Sequence, residues 1–232
     1  YTLLLGSAAY TINAVLQPAV FGGMTKDFAP VAFCASAPFV LLVHPSFPAK
    51  SVKELVALAK AKPGQINCAS AGIGTVPHIA CEVLNKSAGV NIVHVPFRNV
   101  NDAMTGLVGG HVQMFVGVST TAKAQIQSGT VRGLAITSAQ RSQLLPDIPT
   151  IAESGFPDFD MPGWGGFMAP AKTPKAVIEK LNRDYDTRIL MSESSLAKVP
   201  GRFQTRLVDS VLIKGRQQTV KVYELTGNAP LL

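Results

Sequence analysis

From Gln65 to Thr137 the chain switches repeatedly between two hydrophobic periods, and this alternation restricts the fold more than any other feature. Short apolar runs rich in Val, Ile and Phe give way to polar or glycine-bearing loops, then to segments with helical spacing. Gln65–Ala69 reads as a strand, Ser70–Thr75 as a glycine-rich loop and Pro77–Ala88 as a helix. Asn91–Val95, Pro96–Asn99 and Val100–Val108 repeat the order. Val112–Val116, Gly117–Ser119 and Thr120–Ile126 repeat it again, and Val131–Thr137 closes it as a strand. Strands that alternate with helices join into parallel βαβ units with right-handed crossovers, so the chain is α/β.

The flanks follow different rules. Tyr1–Leu5 predicts a short strand ending in a Gly-Ser-Ala loop, and Asn13–Leu16 a brief helix stopped by Pro18. Pro30–Cys34 and Phe39–Val43 are β-like. Ser51 predicts an N-cap, with Glu54 placed to reach back to the Ser51 amide. Arg141–Pro170 is punctuated by Pro and Gly and predicts loops. Thr173 and Pro174 suit the N-cap and first turn of a helix that runs to about Asn182. Val208–Ile213 and Thr219–Leu225, with a turn at Gly215, read as a β-hairpin, and Gly227–Leu232 as a frayed end. The chain begins without Met, as a fragment or processed piece would.

Several function classes are disfavoured. With 15% charged residues and 47% hydrophobic ones, the chain is neither disordered nor a coiled coil. The +7 net charge is not clustered, and aromatics do not interleave with the basic residues, so no nucleic-acid partner is expected. The apolar run Val31–Val43 is too short to span a bilayer and contains Pro38. Cys34, Cys68 and Cys81 have no metal spacing and are expected to be buried free thiols. Gly72-Ile-Gly74 lacks the third glycine and the acidic residue of a dinucleotide fingerprint. His44, His78, His94 and His111 form no helical i,i+4 pair. For His78 a packed or capping role stands beside a cleft-facing one. Ser195-Leu-Ala-Lys198 fits S-x-x-K without its companion motifs. No catalytic residues, no metal and no cofactor are expected, which favours a binding module over an enzyme.

The loops Ser70–Thr75, Pro96–Asn99 and Gly117–Thr120 all leave strand C-termini and enter helix N-termini. Ligands of open α/β sheets bind at that edge, where unpaired N–H groups and the helix dipole favour an anion. Ser70, Thr75, Asn99, Ser119 and Thr120 add polar groups, so a small carboxylate is the natural guest. The alternative is that these residues only cap helices.

A set of motifs runs in order along residues 1–182: Lys26-Asp-Phe-Ala-Pro-Val31, Ser51-Val-Lys-Glu-Leu55, Ala69-Ser-Ala-Gly72, His94-Val-Pro-Phe97, Gly109-Gly-His-Val-Gln113, Leu145-Pro-Asp-Ile-Pro-Thr150 and Trp164-Gly-Gly-Phe167. They resemble the Bug family, the extracytoplasmic receptors of tripartite tricarboxylate transporters. The resemblance implies a type II-like periplasmic binding protein. One lobe would be complete (46–161) and one incomplete (1–45 with 162–186), with hinge strands Val40–His44 and Trp164–Ala169. It implies a small carboxylate ligand, permease subunits in the membrane as partners, a periplasmic location and no catalysis. It carries ligand contacts onto Ser7, Ala8, Ser70, Gly72, Gly74, Thr75, His78, Phe97, Arg98 and Asn99; Ser119 joins them from the loop argument above.

Three departures stand out. The strand and Pro/Gly-rich loop that open the family's first lobe are absent, which predicts weak binding or none. Gly117-Val-Ser119 stands where members often have an acidic residue or Asn, which suits a plain carboxylic acid rather than an amino acid. The first lobe's last helices stop near Asn182, and 187–232 resembles the end of a class III nucleotidyl cyclase domain without its metal carboxylates. A join near Arg183–Asp186 would then make the chain a fusion or a gene remnant, or a nucleotide-related enzyme fragment, as alternatives to a receptor.

Overall fold

A computed structural model describes residues 3–21, 24–183, 190–192, 203–212 and 219–228. The chain divides into two compact units, Ser36–Gly163 and the remainder.

The Ser36–Gly163 unit is a five-stranded sheet covered on both faces. In chain order it contains β3 (Phe39–Val43), α4 (Val52–Ala61), β4 (Asn67–Ser70), α5 (Val76–Ala88), β5 (Val93–Pro96), α6 (Val100–Val108), β6 (Met114–Val118), α7 (Ser119–Gln127) and β7 (Arg132–Ile136). Across the sheet the order is β5-β4-β6-β3-β7. β4 runs parallel to β5 and to β6, as the alternation predicts. β3 lies antiparallel between β6 and β7. The sheet is therefore mixed, because the step from β6 to β7 passes over a strand contributed from earlier in the chain.

β3 is apolar at every position because both of its faces are buried. Leu41 and Val43 join one core cluster with Leu55 and Ala59 of α4 and Ala80 and Leu84 of α5. Val40 and Leu42 join the other with Ala103 and Leu107 of α6 and Ala122 of α7. Full burial of each of these leucines stabilises by roughly 1.5–3 kcal/mol.

Local signals set the helix ends. Ser51 Oγ accepts from the Glu54 N–H at 3.2 Å, as expected of an N-cap. The Glu54 carboxylate, however, accepts from the Lys50 N–H at 2.7 Å rather than from Ser51. α5 ends at Gly89, whose φ of 61° is the left-handed conformation that a glycine adopts without strain. Asn85 then clamps the return to β5, accepting from the Ile92 N–H and donating to the Ile92 carbonyl, both at 2.8 Å. The Arg132 guanidinium donates to the carbonyls of Pro45, Phe47 and Ala49 and so holds the 45–49 bend.

One expectation is corrected here. Cys68 and Cys81 are not free thiols but a disulfide that links β4 to α5, with Cα atoms 6.6 Å apart. Cys34 is the free cysteine among the described residues. Burial raises its pKa, against a smaller lowering by the Phe167 backbone.

The other unit holds β1 (Leu4–Ser7), α1 (Ala8–Leu16), α2 (Pro18–Phe21), α3 (Met24–Asp27), most of β2 (Phe28–Ala37) and of β8 (Gly163–Pro170), and α8 (Lys175–Arg183). Its first sheet has the order β1-β8-β2, with β1 antiparallel to β8. A Cβ on Gly166 would lie 2.8 Å from the Ala32 carbonyl oxygen, so only glycine permits this strand spacing. The predicted Gly-Ser-Ala loop is absent, because α1 starts directly at Ala8. Ser7 stands at the N-cap in extended backbone, and the two alanines behind it favour helix. Arg141–Pro170 is likewise not all loop, since its end forms β8. A second sheet, with the order β10-β11-β9, is formed by β9 (Leu190–Ser192), β10 (Phe203–Leu212) and β11 (Thr219–Asn228). β10 and β11 pair antiparallel, which is the predicted hairpin with longer arms. Its Gly215 turn and the end at 229–232 lie outside the described residues. No described helix is long and apolar enough to cross a membrane.

Candidate functional site

Because β5, β4 and β6 are parallel neighbours, their C-terminal ends share one edge of the sheet, and α6, α5 and α7 start there. β3 is antiparallel to β6, so its first residue, Phe39, pairs with Val118 at the same edge. The three loops singled out in the sequence are thus brought together.

The β4–α5 loop is bound tightly to itself. Gly72 has a φ of 120° and Gly74 a φ of 77°, values that disfavour any side chain. Ser70 is fully buried. Its Oγ accepts from the Gly72 N–H at 3.1 Å and lies 2.6 Å from Nε2 of His94 on β5. Thr75 is the N-cap of α5, but its hydroxyl donates back to the Gly72 carbonyl at 2.7 Å. The Gly74 N–H donates to His78 Nδ1 at 3.2 Å. The His78 and His94 rings lie 4.1 Å apart, tilted by 36°. Burial foremost, and the adjacent His78 next, hold the His94 pKa below the ordinary imidazole value, against a smaller upward pull from Glu82.

The neighbouring loops differ. Asn99 caps α6: its Oδ1 accepts from the Asp102 N–H at 2.9 Å, and its Nδ2 donates to the Asp102 carboxylate at 3.0 Å. The capping reading therefore applies to Asn99. The Phe97 N–H donates to the Ser70 carbonyl at 2.9 Å. The Phe97 ring packs against the core cluster behind α6, next to Gly106. Arg98 is exposed and forms no ion pair among the described residues. Ser119 is fully buried at the start of α7 and donates its N–H to the Pro38 carbonyl at 3.1 Å. Its hydroxyl has no hydrogen-bond partner among the described residues. Ser7 and Ala8 belong to the other unit, at the start of α1.

A depression of about 500 Å³ opens at the same edge beside Pro38, lined by Ser36, Ser138, Gln140, Arg141 and Asp160 among others. None of the predicted site residues lines it. Arg141 pairs with Glu153 at 2.9 Å. The Thr150 N–H foremost, and then Arg141, hold the Glu153 carboxyl below the usual carboxylate range. Sequence reasoning missed residues 138–144. The usable signal was that Val131–Thr137 is a further strand whose C-terminus reaches this edge. Among the described residues no cluster of His, Cys, Asp or Glu is arranged to hold a metal ion.

A family model described as the tripartite tricarboxylate transporter family receptor, TctC, matches residues 1–199. The chain belongs to this receptor family. The match runs past the join expected near Arg183–Asp186. BugT of Bordetella pertussis is 34% identical over 185 residues, which are 79% of this chain and 57% of BugT. A solved structure of the periplasmic binding protein BugD is 33% identical with a TM-score of 0.70, over 78% of this chain and 60% of that one. MatC of Rhodopseudomonas palustris with bound malate is 32% identical with a TM-score of 0.70, over 78% and 62%. The TctC receptor segment thus has the α/β fold of periplasmic binding proteins, and its family and solved relatives are solute receptors rather than enzymes. The chain spans less than two thirds of the length of these relatives.

Proposed function

We propose that this chain is the solute-binding receptor of a tripartite transporter and takes a small carboxylic acid at the edge where α5, α6 and α7 begin. The observation that carries the reading is the convergence of these three helix starts in a chain of the TctC receptor family. Helix N-termini favour a negative charge through their free N–H groups and dipoles. Ser70, Gly72, Gly74, Thr75, His78, Phe97, Arg98, Asn99 and Ser119 are the contacts proposed in this unit. Gly117-Val-Ser119 offers no carboxylate to meet an amino group, so a plain acid such as malate, the ligand bound to MatC, is preferred. The Cys68–Cys81 disulfide supports an oxidising compartment and hence a periplasmic location, where membrane permease subunits would receive the ligand.

Titration calorimetry of the full chain with malate, citrate and ATP tests this reading. Weak but saturable heat with a carboxylic acid and none with ATP is expected. Binding of ATP alone would favour instead the cyclase likeness of 187–232, which we keep as a proposal about the origin of that segment.

A further inference from the structure

The β4–α5 loop turns its polar side chains on itself and one apolar side chain outward. Ser70 Oγ accepts from the Gly72 N–H and lies 2.6 Å from His94 Nε2. The Thr75 hydroxyl donates to the Gly72 carbonyl at 2.7 Å. Ile73, in the middle of the loop, is 62% exposed and belongs to neither core cluster. The other large hydrophobic residues exposed in the Ser36–Gly163 unit, Val93, Val100, Val108 and Leu144, reach only 36–40%. The most exposed of them therefore stands at the sheet edge where α5, α6 and α7 begin. Val100, the first residue of α6, adds apolar surface at the neighbouring loop. A single exposed isoleucine needs no explanation in general. This one is held between Gly72 and Gly74, whose φ values of 120° and 77° belong to glycine backbone, so a braced loop presents it.

We infer, resting on the carboxylate site proposed above, that Ile73 is a specificity-determining residue: it lies against the carbon skeleton of the bound acid and selects an unsubstituted hydrocarbon body over a hydroxylated one. The helix starts meet the carboxylate, and Ile73 meets the atoms behind it. Ligand sites commonly divide the work in this way, with a few polar groups fixing orientation and apolar side chains covering the rest. A methylene placed on Ile73 removes apolar surface of both partners from water. A hydroxyl placed there gives up its own water and finds neither donor nor acceptor in that side chain. The nearest hydroxyls of the loop, Ser70 and Thr75, are already engaged with Gly72.

Succinate, malate and tartrate test this, because they place the same two carboxylates on the same chain of carbons and differ only in carrying no, one or two hydroxyls. Titration calorimetry of the full chain is expected to give affinities that fall in that order, by on the order of tenfold from succinate to tartrate. Ile73→Asn, polar and of similar size, is expected to abolish the order by weakening succinate and sparing tartrate. The thermal unfolding midpoint is expected to stay where it is, because the side chain is exposed and makes no core contact. Ile73→Val is expected to keep the order. Equal affinities in the parent, tartrate bound most tightly, or an order that survives Ile73→Asn overturns the inference and leaves the receptor reading intact. Absence of saturable heat with all three acids overturns the carboxylate site, and the role of Ile73 with it.

Discussion

The β4–α5 and β6–α7 junctions are the same kind of strand-to-helix step, yet they leave their buried serine hydroxyls, Ser70 and Ser119, in opposite states. At the first, the Ser70 and Thr75 hydroxyls are bonded within the loop, His78 and His94 brace it, and a disulfide ties the strand to the helix. At the second, the Ser119 hydroxyl is buried without a partner among the described residues. The first junction is a preformed frame, and the second keeps a polar group in reserve. A buried hydroxyl with no partner carries a desolvation cost, and a site that exchanges ligand tolerates that cost more readily than a core does.

Breaking the frame should have the largest effect. The disulfide spans a sequence separation of 13, and in the chain-entropy account a loop of about that length contributes about 3 kcal/mol. Cys68→Ala combined with Cys81→Ala should therefore lower the thermal unfolding midpoint clearly. An unchanged midpoint would show that the β4–α5 junction does not depend on its staple. Next in size is Ser70→Ala. It leaves the Gly72 N–H and His94 Nε2 short of a partner, at a cost of roughly 1–3 kcal/mol, measurable by urea unfolding.

Ser119→Ala sharpens the contrast because it should not destabilise. It removes a buried hydroxyl that has no partner among the described residues, so no hydrogen bond is lost and a modest gain in stability is expected. The same variant should bind malate more weakly than the parent in calorimetry. A large loss of stability would mean that the hydroxyl is engaged after all.

The smallest effect concerns the depression beside Pro38. The Glu153 pKa is lowered in the folded state, by the Thr150 N–H first and Arg141 second. The stability it contributes is present above the ordinary glutamate range and is lost as pH falls through the lower, folded value. Glu153→Gln should therefore unfold slightly earlier than the parent near neutrality, and the two curves should converge in acid. Parallel curves across that range would contradict the assignment.

Much of this unit was legible from local signals. α6 occupies the stretch that its spacing predicts, Val100–Val108, because Asn99 caps it and its apolar positions face one side. Ser51 was readable as a cap for the same reason, although the partner of Glu54 was not. Strand pairing was less accessible. Nothing in Phe39–Val43 itself announces that it inserts antiparallel between β6 and β7, since that depends on segments far along the chain. The Cys68–Cys81 bond was missed because spacing alone cannot show that a strand and the following helix bring two sulfurs together. At the candidate site, hydroxyls and glycines marked three loop starts, and the sheet order brings those loops to one edge. Whether each would bind inward, as Thr75 does, or remain unpartnered, as Ser119 does, depends on packing that composition does not encode. Residues 138–144 gave no motif and became visible only once the end of β7 was located at that edge.

The central claim is that a carboxylate sits where α5, α6 and α7 begin. Amide resonances of the full chain, followed during a malate titration, test it most directly. The account predicts saturable shifts at Gly72, Gly74, Arg98 and Ser119 with a common midpoint, while amides at the far end of the sheet, such as Asn67 and Arg132, stay still. Saturable shifts confined to that far end, or none at the three helix starts, would contradict it.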